Sequence, residues 1–411
     1  MSTIVEKVMN RYQPPLVASM SLSFCLSILF SFIIYPKIEE PYHAWQDVDR
    51  YAEIGQNLYN GNGFRFEDAD MPTVSRGPIY PLTIAALSWI TGGFAVWHVQ
   101  LLQALFLAGA CILVFYIARQ IFPTPGLAYW AALVMALYPL FIWYAARIWT
   151  ETLLVLGVSF LAYRLVRFHR APTFGRGVML GIVVGFLILV KAGFLLFIPF
   201  LLVYYLLKRN FMAVRHCLFA LVCAVVIILP WIVRNYRVSG IVIPVQTTAA
   251  SNYLIGNAVV HDFFQHPLSL SIPMQKGTDE IAQWMDEADL SPTDAEEAEG
   301  ESILRQKAVE SFLSNPLFLL QKAGTQAFTF WYLGETPPKS LIILVVQFPI
   351  LFFAVRRIRK AVRESTLVVP LVLIITYWWG VAAFFVAHAR IAVPIMPLVL
   401  IFAVYGMYRR T

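Results

Sequence analysis

The residues best suited to chemistry stand in one polar stretch, Ala44 to Pro81, near the start of an otherwise apolar chain. Two carboxylates, Asp47 and Asp49, stand two positions apart just before a run with helical spacing. A glycine-rich turn, N-G-N-G, and the segment S-R-G-P-I-Y-P with Arg76 follow. A carboxylate next to cations can take a proton from an acceptor while the cations stabilise a departing anion. We therefore interpret this stretch as a catalytic loop.

Other charged residues stand at the ends of apolar runs, where ionisable groups are functional candidates by default. Glu151 begins one such run, and Lys191 separates two others with almost no loop between them. The catalytic candidates are Asp47, Asp49 and Glu151. The candidates for binding a departing phosphate are Lys191, Arg76 and Arg390. Further candidates in the same regions are Tyr51, Tyr80, Arg147, Arg234 and His388.

Each candidate also has a plainer structural interpretation. Asp49 could only begin a helix, since Asp is favoured near helix N-termini. Glu151 could cap the span that follows it, and Lys191 could extend to the membrane interface with no other duty. Arg147 could only pair with Glu151, and the residues around His388 could only close a tight turn.

The composition predicts a protein with many membrane spans. Of 411 residues, 59% are hydrophobic and 13% are charged, far more apolar sequence than a soluble domain of this size needs. The net charge of +7 is explained by orientation signals on the inner face, so we expect no nucleic-acid partner. About ten apolar runs could span: Leu16–Tyr35, Trp97–Ala118, Leu127–Tyr144, Thr152–Phe168, Val178–Val190, Gly193–Leu207, Val214–Val233, Ser340–Val355, Leu367–Val386 and Ile391–Tyr408.

The charges predict the orientation of these spans. If the N-terminus is inside and the short apolar run Ile79–Ile90 does not span, the clustered Lys and Arg residues fall in short inner loops and tails. Of the 24 acidic residues, only Glu6 and Glu364 are then inside. We therefore predict both termini on the cytoplasmic side of an inner membrane, the catalytic site on the outer face, and Ile79–Ile90 as an interfacial or re-entrant helix there.

Three regions follow from this topology. Residues 1–234 form an N-terminal transmembrane catalytic module with an outer-face loop at 36–96, residues 235–339 form a second outer-face segment with amphipathic helices, and residues 340–411 return to transmembrane helices. In the second segment, Ser291 to Asp294 predicts the start of a helix that continues to about Leu313, and Pro316 begins another toward Tyr332.

Seven motifs, in this order and spacing, resemble a known family over nearly the whole chain. They are D-x-x-x-Y-A-E-I at 47–54, then G-N-G-F and R-G-P-I-Y-P, A-L-Y-P-L-F-I-W-Y-A-A-R-I-W-T-E at 136–151, G-F-L-I-L-V-K-A-G at 185–193, W-I-V-R-N-Y at 231–236, and H-A-R-I-A-V-P-I-M-P at 388–397. The chain is similar to the polyprenyl-phosphate-sugar-dependent glycosyltransferases of the C-type membrane fold, in particular to the protein O-mannosyltransferase superfamily and the lipid A aminoarabinose transferase.

The resemblance implies roles for four residues. It implies Asp47 as the catalytic base or acceptor-orienting group, Glu151 as a second outer acid, and Lys191 and Arg76 as contacts to the donor phosphate. The sequence departs from many relatives because Asp47 and Asp49 are separated by a valine, where the relatives have adjacent acids, and because Glu151 replaces what is often Asp. The first departure leaves open whether Asp49 shares the role of base.

The resemblance implies an all-α polytopic membrane protein that moves a sugar from a polyprenyl or dolichyl monophosphate to a lipid, glycan or protein acceptor, with inversion. The rival interpretations are a glycan ligase that uses a lipid diphosphate and a transporter of lipid or sugar. A divalent metal could bind if Asp47, Asp49 and Glu151 approached one another, although no ligand spacing requires one. The expected partners are the lipid-linked donor, membrane lipids and the acceptor.

Overall fold

The computed structural model describes residues 2–38, 47–69, 71–122, 124–291 and 297–407, with side chains from residue 15 onward. Within these ranges the regular structure is entirely helical. The first ten α-helices are α1 (Ser2–Leu29), α2 (Tyr35–Ile38), α3 (Tyr51–Tyr59), α4 (Ile79–Thr91), α5 (Val96–Ile121), α6 (Pro125–Ala136), α7 (Pro139–Ala145), α8 (Glu151–Arg170), α9 (Phe174–Val190) and α10 (Phe197–Leu207). The others are α11 (Phe211–Ser239), α12 (Ala249–His261), α13 (Ser271–Asp286), α14 (Ala298–Ser314), α15 (Phe318–Thr329), α16 (Pro337–Glu364), α17 (Val369–Phe384), α18 (Ala389–Ala392) and α19 (Met396–Met407). The predicted all-α fold class is confirmed.

Seven helical segments of the described chain are long and apolar enough to cross a membrane, and the bent pair α6–α7 makes an eighth if it is one span. The seven are Pro15–Ile38, Val96–Ile121, Glu151–Arg170, Phe211–Ser239, Pro337–Glu364, Thr366–Phe384 and Ala389–Met407. The chain is therefore a multi-pass membrane protein, as predicted, but the predicted count of about ten is not confirmed. The difference lies at α9 and α10, whose 17 and 11 residues fall short of the roughly 20 that cross the hydrocarbon core.

The centre of the membrane bundle is formed by α8 and the segment Ala389–Met407. In that segment 72% of the span is buried in protein, against 22% for Phe211–Ser239 on the periphery. The turn Val393–Ile395 packs against α8 with fully buried side chains. This packing places the N-terminal ends of the two central spans side by side, and those ends carry Glu151 and Arg390.

A stripe of glycines fixes α9 against α11. Gly177, Gly181 and Gly185 recur every four residues and therefore share one helix face. A Cβ atom added at Gly181 would lie 2.2 Å from the carbonyl oxygen of Ala220 in α11. Small residues at such positions let two membrane helices approach backbone to backbone. The C-terminal end of α9, which precedes Lys191, is thus held in a defined place.

The helices outside the candidate spans agree with the predicted positions where the structure describes them. Helix α4 coincides with the predicted run Ile79–Ile90, and its 13 residues are too few to span. Helices α14 and α15 correspond to the helices predicted before Leu313 and after Pro316. The predicted start of the first of these, at Pro292 to Asp294, lies outside the described residues. The division into three regions stays a prediction.

Candidate active site

Asp47 caps the N-terminus of α3. Its Oδ1 accepts a hydrogen bond from the backbone N–H of Tyr51 at 2.8 Å, and its Oδ2 accepts one from Ala52 at 2.7 Å. These donors would otherwise have no partner at the start of the helix. Burial raises the pKa of Asp47 to about 7, while the two backbone bonds oppose this increase. A carboxylate that titrates near neutral pH is suited to proton transfer.

Asp49 belongs to an ion cluster that joins distant parts of the chain. Its Oδ2 lies 2.6 Å from Nη2 of Arg390, and Nε of the same guanidinium lies 2.5 Å from Oε1 of Glu151. The guanidinium also stacks on the ring of Trp149, at 3.8 Å from the ring centre. One arginine therefore bridges two carboxylates, one from the segment before α3 and one from the start of α8.

Two further cations act on this cluster. Burial alone would raise the pKa of Asp49, but the charges of Arg390, Arg76 and Lys191 hold it well below its usual range. Nε of Arg76 donates to the backbone carbonyl of Asp49 at 2.9 Å. Gly77 brings this loop close to α9, because a Cβ atom there would lie 2.5 Å from the carbonyl oxygen of Leu189.

Lys191 differs from Arg390, whose guanidinium pairs with two carboxylates. Among the residues that the structure describes, its ammonium group makes neither a hydrogen bond nor an ion pair. The charges of Lys191, Arg76 and Arg390 all act on Asp49, and Arg390 also pairs with Glu151. An ammonium group without a partner can bind an added anion, and a phosphate suits a lysine of this kind.

A second ion cluster contains Glu335, which the sequence analysis missed. Its carboxylate lies 3.3 Å from Nη1 of Arg147 and 2.6 Å from Nζ of Lys339. Burial opposes ionisation of Glu335, but the Arg147 charge holds the pKa of its carboxyl below the usual range. The pairing of Arg147 with Glu151, which the sequence left open, does not form, because Glu151 pairs with Arg390. Glu335 gave no spacing signal, since it stands in a short turn between two apolar helices.

His388 stands beside both clusters as the residue before α18. Burial and the charge of Arg390 lower the pKa of His388 to about 3, so its imidazole is neutral at physiological pH. It can therefore accept or donate a hydrogen bond but brings no positive charge to the site.

Tyr51 of α3 and Tyr80 of α4 pack edge to face, with ring centres 5.2 Å apart. The Tyr80 hydroxyl donates to Oε1 of Gln103, whose amide also donates to the backbone carbonyl of Arg147 at 2.7 Å. Gln103 is fully buried and is a second residue that sequence reasoning missed, because a single Gln in an apolar helix has no motif. These contacts hold the segment before Glu151 in place.

Arg234 lies apart from the ion cluster. Its guanidinium donates to the backbone carbonyls of Thr73 at 2.6 Å and Phe64 at 3.3 Å, and it stacks on the rings of Phe64 and Trp231. Arg234 therefore ties the segment between α3 and α4 to the end of α11. Within the described residues, no three His, Cys, Asp or Glu side chains are grouped closely enough to hold a metal ion.

Comparison with known proteins supports the resemblance predicted from the motifs. Residues 75–233 match the family described as dolichyl-phosphate-mannose-protein mannosyltransferase. A search of curated proteins found no match.

Solved structures show the fold. The oligosaccharyltransferase of Archaeoglobus fulgidus in its apo form matches with a TM-score of 0.56 and 12% identity over 94% of this chain and 50% of that chain. The archaeal oligosaccharyltransferase AglB from the same organism, in complex with an inhibitory peptide and a dolichol-phosphate, matches with a TM-score of 0.55 and 13% identity over 96% of this chain and 50% of that one. The chain thus spans about half the length of these relatives.

ArnT from Cupriavidus metallidurans bound to undecaprenyl phosphate shares 15% identity over 95% of this chain and 76% of its own, but its TM-score of 0.43 is too low to carry an argument. The family match and the oligosaccharyltransferase fold together confirm the predicted resemblance to C-type membrane glycosyltransferases.

Proposed function

We propose that the protein is a membrane glycosyltransferase that moves a sugar from a polyprenyl or dolichyl monophosphate to a lipid, glycan or protein acceptor on the outer face. The observation that carries this proposal is the cation Lys191, which has no partner among the described residues and stands beside the Asp49–Arg390–Glu151 cluster. The family match over residues 75–233 supports it.

Asp47 acts as the base in this proposal. A hydroxyl or amine of the acceptor gives its proton to Asp47 as it attacks the anomeric carbon of the donor sugar. The bond from that carbon to the phosphate oxygen breaks, and its electron pair leaves with the polyprenyl phosphate. Both oxygens of Asp47 keep lone pairs beyond those that cap α3, so the capping bonds do not prevent proton acceptance.

Lys191 and Arg76 stabilise the second negative charge that develops on the departing phosphate. Arg390 holds Asp49 and Glu151 together and forms the wall of the site next to Trp149. A single displacement at the anomeric carbon inverts its configuration. Such a displacement needs no covalent partner on the protein.

The test is transfer of radiolabelled sugar in membranes that carry the protein, with a panel of polyprenyl monophosphate sugars and crude membrane extract as acceptor. We expect loss of label from one donor of the panel and its appearance in one acceptor fraction. If only lipid diphosphate donors lose their label, the protein is a glycan ligase. If no donor reacts and labelled lipid crosses liposome membranes that contain the protein, it is a transporter.

A further inference from the structure

Helix α15 carries three buried polar side chains on one face: Lys322, Gln326 and Thr329, each at most 1% exposed. Their spacing of four and three residues places them in one row along the helix. Polar groups buried to this extent cost free energy unless they are hydrogen-bonded. The partners of the row therefore define what α15 holds in place.

Gln326 and Thr329 hold the backbone of a single short segment. Nε2 of Gln326 donates to the carbonyl oxygens of Phe385 at 2.6 Å and Gly256 at 3.0 Å. Oε1 of Gln326 accepts the N–H of Ala387, and the Thr329 hydroxyl donates to the Ala387 carbonyl at 2.8 Å. The Gln326 side chain thus bonds to the backbone of residues 385 and 387 and, through its bond to Gly256, joins them to α12.

The segment held in this way leads directly into the ion cluster. Helix α17 ends at Phe384 and α18 begins at Ala389, so the residues between them lack the bonds of a continuing helix. Beyond Gln326 and Thr329, the carbonyl of Leu333 accepts the N–H of Ala389 at 2.9 Å. Arg390 follows at once and reaches Asp49 and Glu151. Its position is therefore set by atoms on and just after α15.

We propose that Gln326 is a positioning residue that places Arg390 against Asp49 and Glu151. The inference rests on the proposed function for its effect on catalysis, but not for its effect on structure. A displacement of about 1 Å in a reacting group can cost about 100-fold in rate. Gln326 is fully buried and acts on Arg390 through the backbone of residues 385–387.

Lys322 supplies a matched control on the same helix face. Its ammonium donates to the carbonyl of Tyr253 at 2.6 Å and to Oδ1 of Asn257 at 2.7 Å, both in α12. Lys322 is nearly as deeply buried as Gln326, but its hydrogen bonds go to α12 and not to residues 385–389. Gln326→Met and Lys322→Met therefore remove comparable buried polar groups, and only the first releases the segment that leads to Arg390.

The first measurement is hydrogen exchange of the purified protein, which does not depend on activity. We expect Gln326→Met to speed exchange in residues 385–391 by at least about tenfold, and Lys322→Met to speed exchange only in residues 249–261. Thr329→Val, which removes a single bond to this segment, gives a smaller change in 385–391 and covers the case in which Gln326→Met does not fold. Equal exchange in 385–391 for all three variants and wild type would overturn the proposal.

The second measurement is transfer activity, in a cycle with Arg390→Ala. We expect Gln326→Met to lower kcat by roughly 10- to 100-fold, Lys322→Met to change it by less than about threefold, and Gln326→Met to add less than about threefold once Arg390 is absent. If Gln326→Met costs as much in the Arg390→Ala background as in wild type, Gln326 does not act through Arg390. If the wild type transfers no sugar, the proposed function fails, and the exchange data still decide the structural claim.

Discussion

Asp47 and Asp49 are two carboxylates in one short turn, yet their surroundings give them opposite properties. Asp47 faces the start of α3, receives two backbone N–H groups, and titrates near pH 7 because burial dominates. Asp49 faces Arg390 and the charges of Arg76 and Lys191, which keep it ionised. The turn that separates them is closed by the N–H of Arg50 on the carbonyl of Asp47, with Arg50 at a φ of 56°.

The pKa values of these two aspartates move in opposite directions because their surroundings differ, although the residue type is the same. A base must change its protonation state near the working pH, whereas a group that holds an arginine must stay charged. Within the proposed function, we therefore propose that Asp47 transfers the proton and that Asp49 places Arg390.

The largest effect is expected for Asp47→Asn. The amide keeps the size of the side chain and one oxygen to cap α3, but it cannot take a proton, so kcat should fall by about 100- to 10,000-fold. The measurement is steady-state transfer with the reactive donor. Asp68→Asn is the control, because this exposed acid pairs with Arg50 and lies outside the Asp49–Arg390–Glu151 cluster, so its substitution should leave activity unchanged. A folded Asp47→Asn protein with full activity would remove Asp47 from the mechanism.

Lys191→Met should raise the donor KM by roughly 10- to 100-fold, since a charged hydrogen bond to the donor phosphate is lost. Initial rates over a range of donor concentrations separate this effect from a loss of kcat. Lys208→Met, at an exposed lysine after α10, should change neither constant. An unchanged donor KM in Lys191→Met would show that Lys191, beside Asp49, does not bind the donor phosphate.

The pH profile should follow Asp47. Because a base must be ionised and the pKa of Asp47 is raised to about 7, kcat/KM should fall about tenfold per unit as the pH drops below 7 and level off above it. Asp49 stays ionised over this range and contributes no step. The check is kcat/KM between pH 5 and 9; a rate that is flat down to pH 5 would contradict the assignment.

Asp49→Asn should have the smallest effect, up to about tenfold in kcat, because Arg390 keeps its pairing with Glu151. The substitution also removes a negative charge that raises the pKa of Asp47, so the acid limb of the profile should move to lower pH. The same kcat/KM series measures this shift. A loss as large as that of Asp47→Asn, or a shift to higher pH, would place proton transfer on Asp49.

The sequence predicted the all-α fold class, the helix at Ile79–Ile90 and the polar stretch that contains Asp47 and Asp49. Hydrophobic periodicity and helix-start residues are local signals, which is why these features could be predicted. It also named both ends of the pairs that meet, Asp49 with Arg390 and Glu151 with Arg390, but not the pairing itself. Pairing depends on how the central spans pack, which no local pattern encodes. For the same reason Gln326 and Glu335 gave no signal, since their partners are backbone atoms or a buried arginine far along the chain.

The bridge from Asp49 to Arg390 also has a consequence for biogenesis. The two residues are 341 positions apart. At a synthesis rate of about 5 to 20 residues per second, Arg390 is therefore added roughly 20 to 70 s after Asp49. Over that interval the nascent chain already contains Asp49 but lacks the guanidinium that bridges Asp49 and Glu151. Assembly of the site is thus deferred until the segment Ala389–Met407 enters the bundle. A chain that stops early would be inserted in the membrane yet hold its two carboxylates without the guanidinium that joins them.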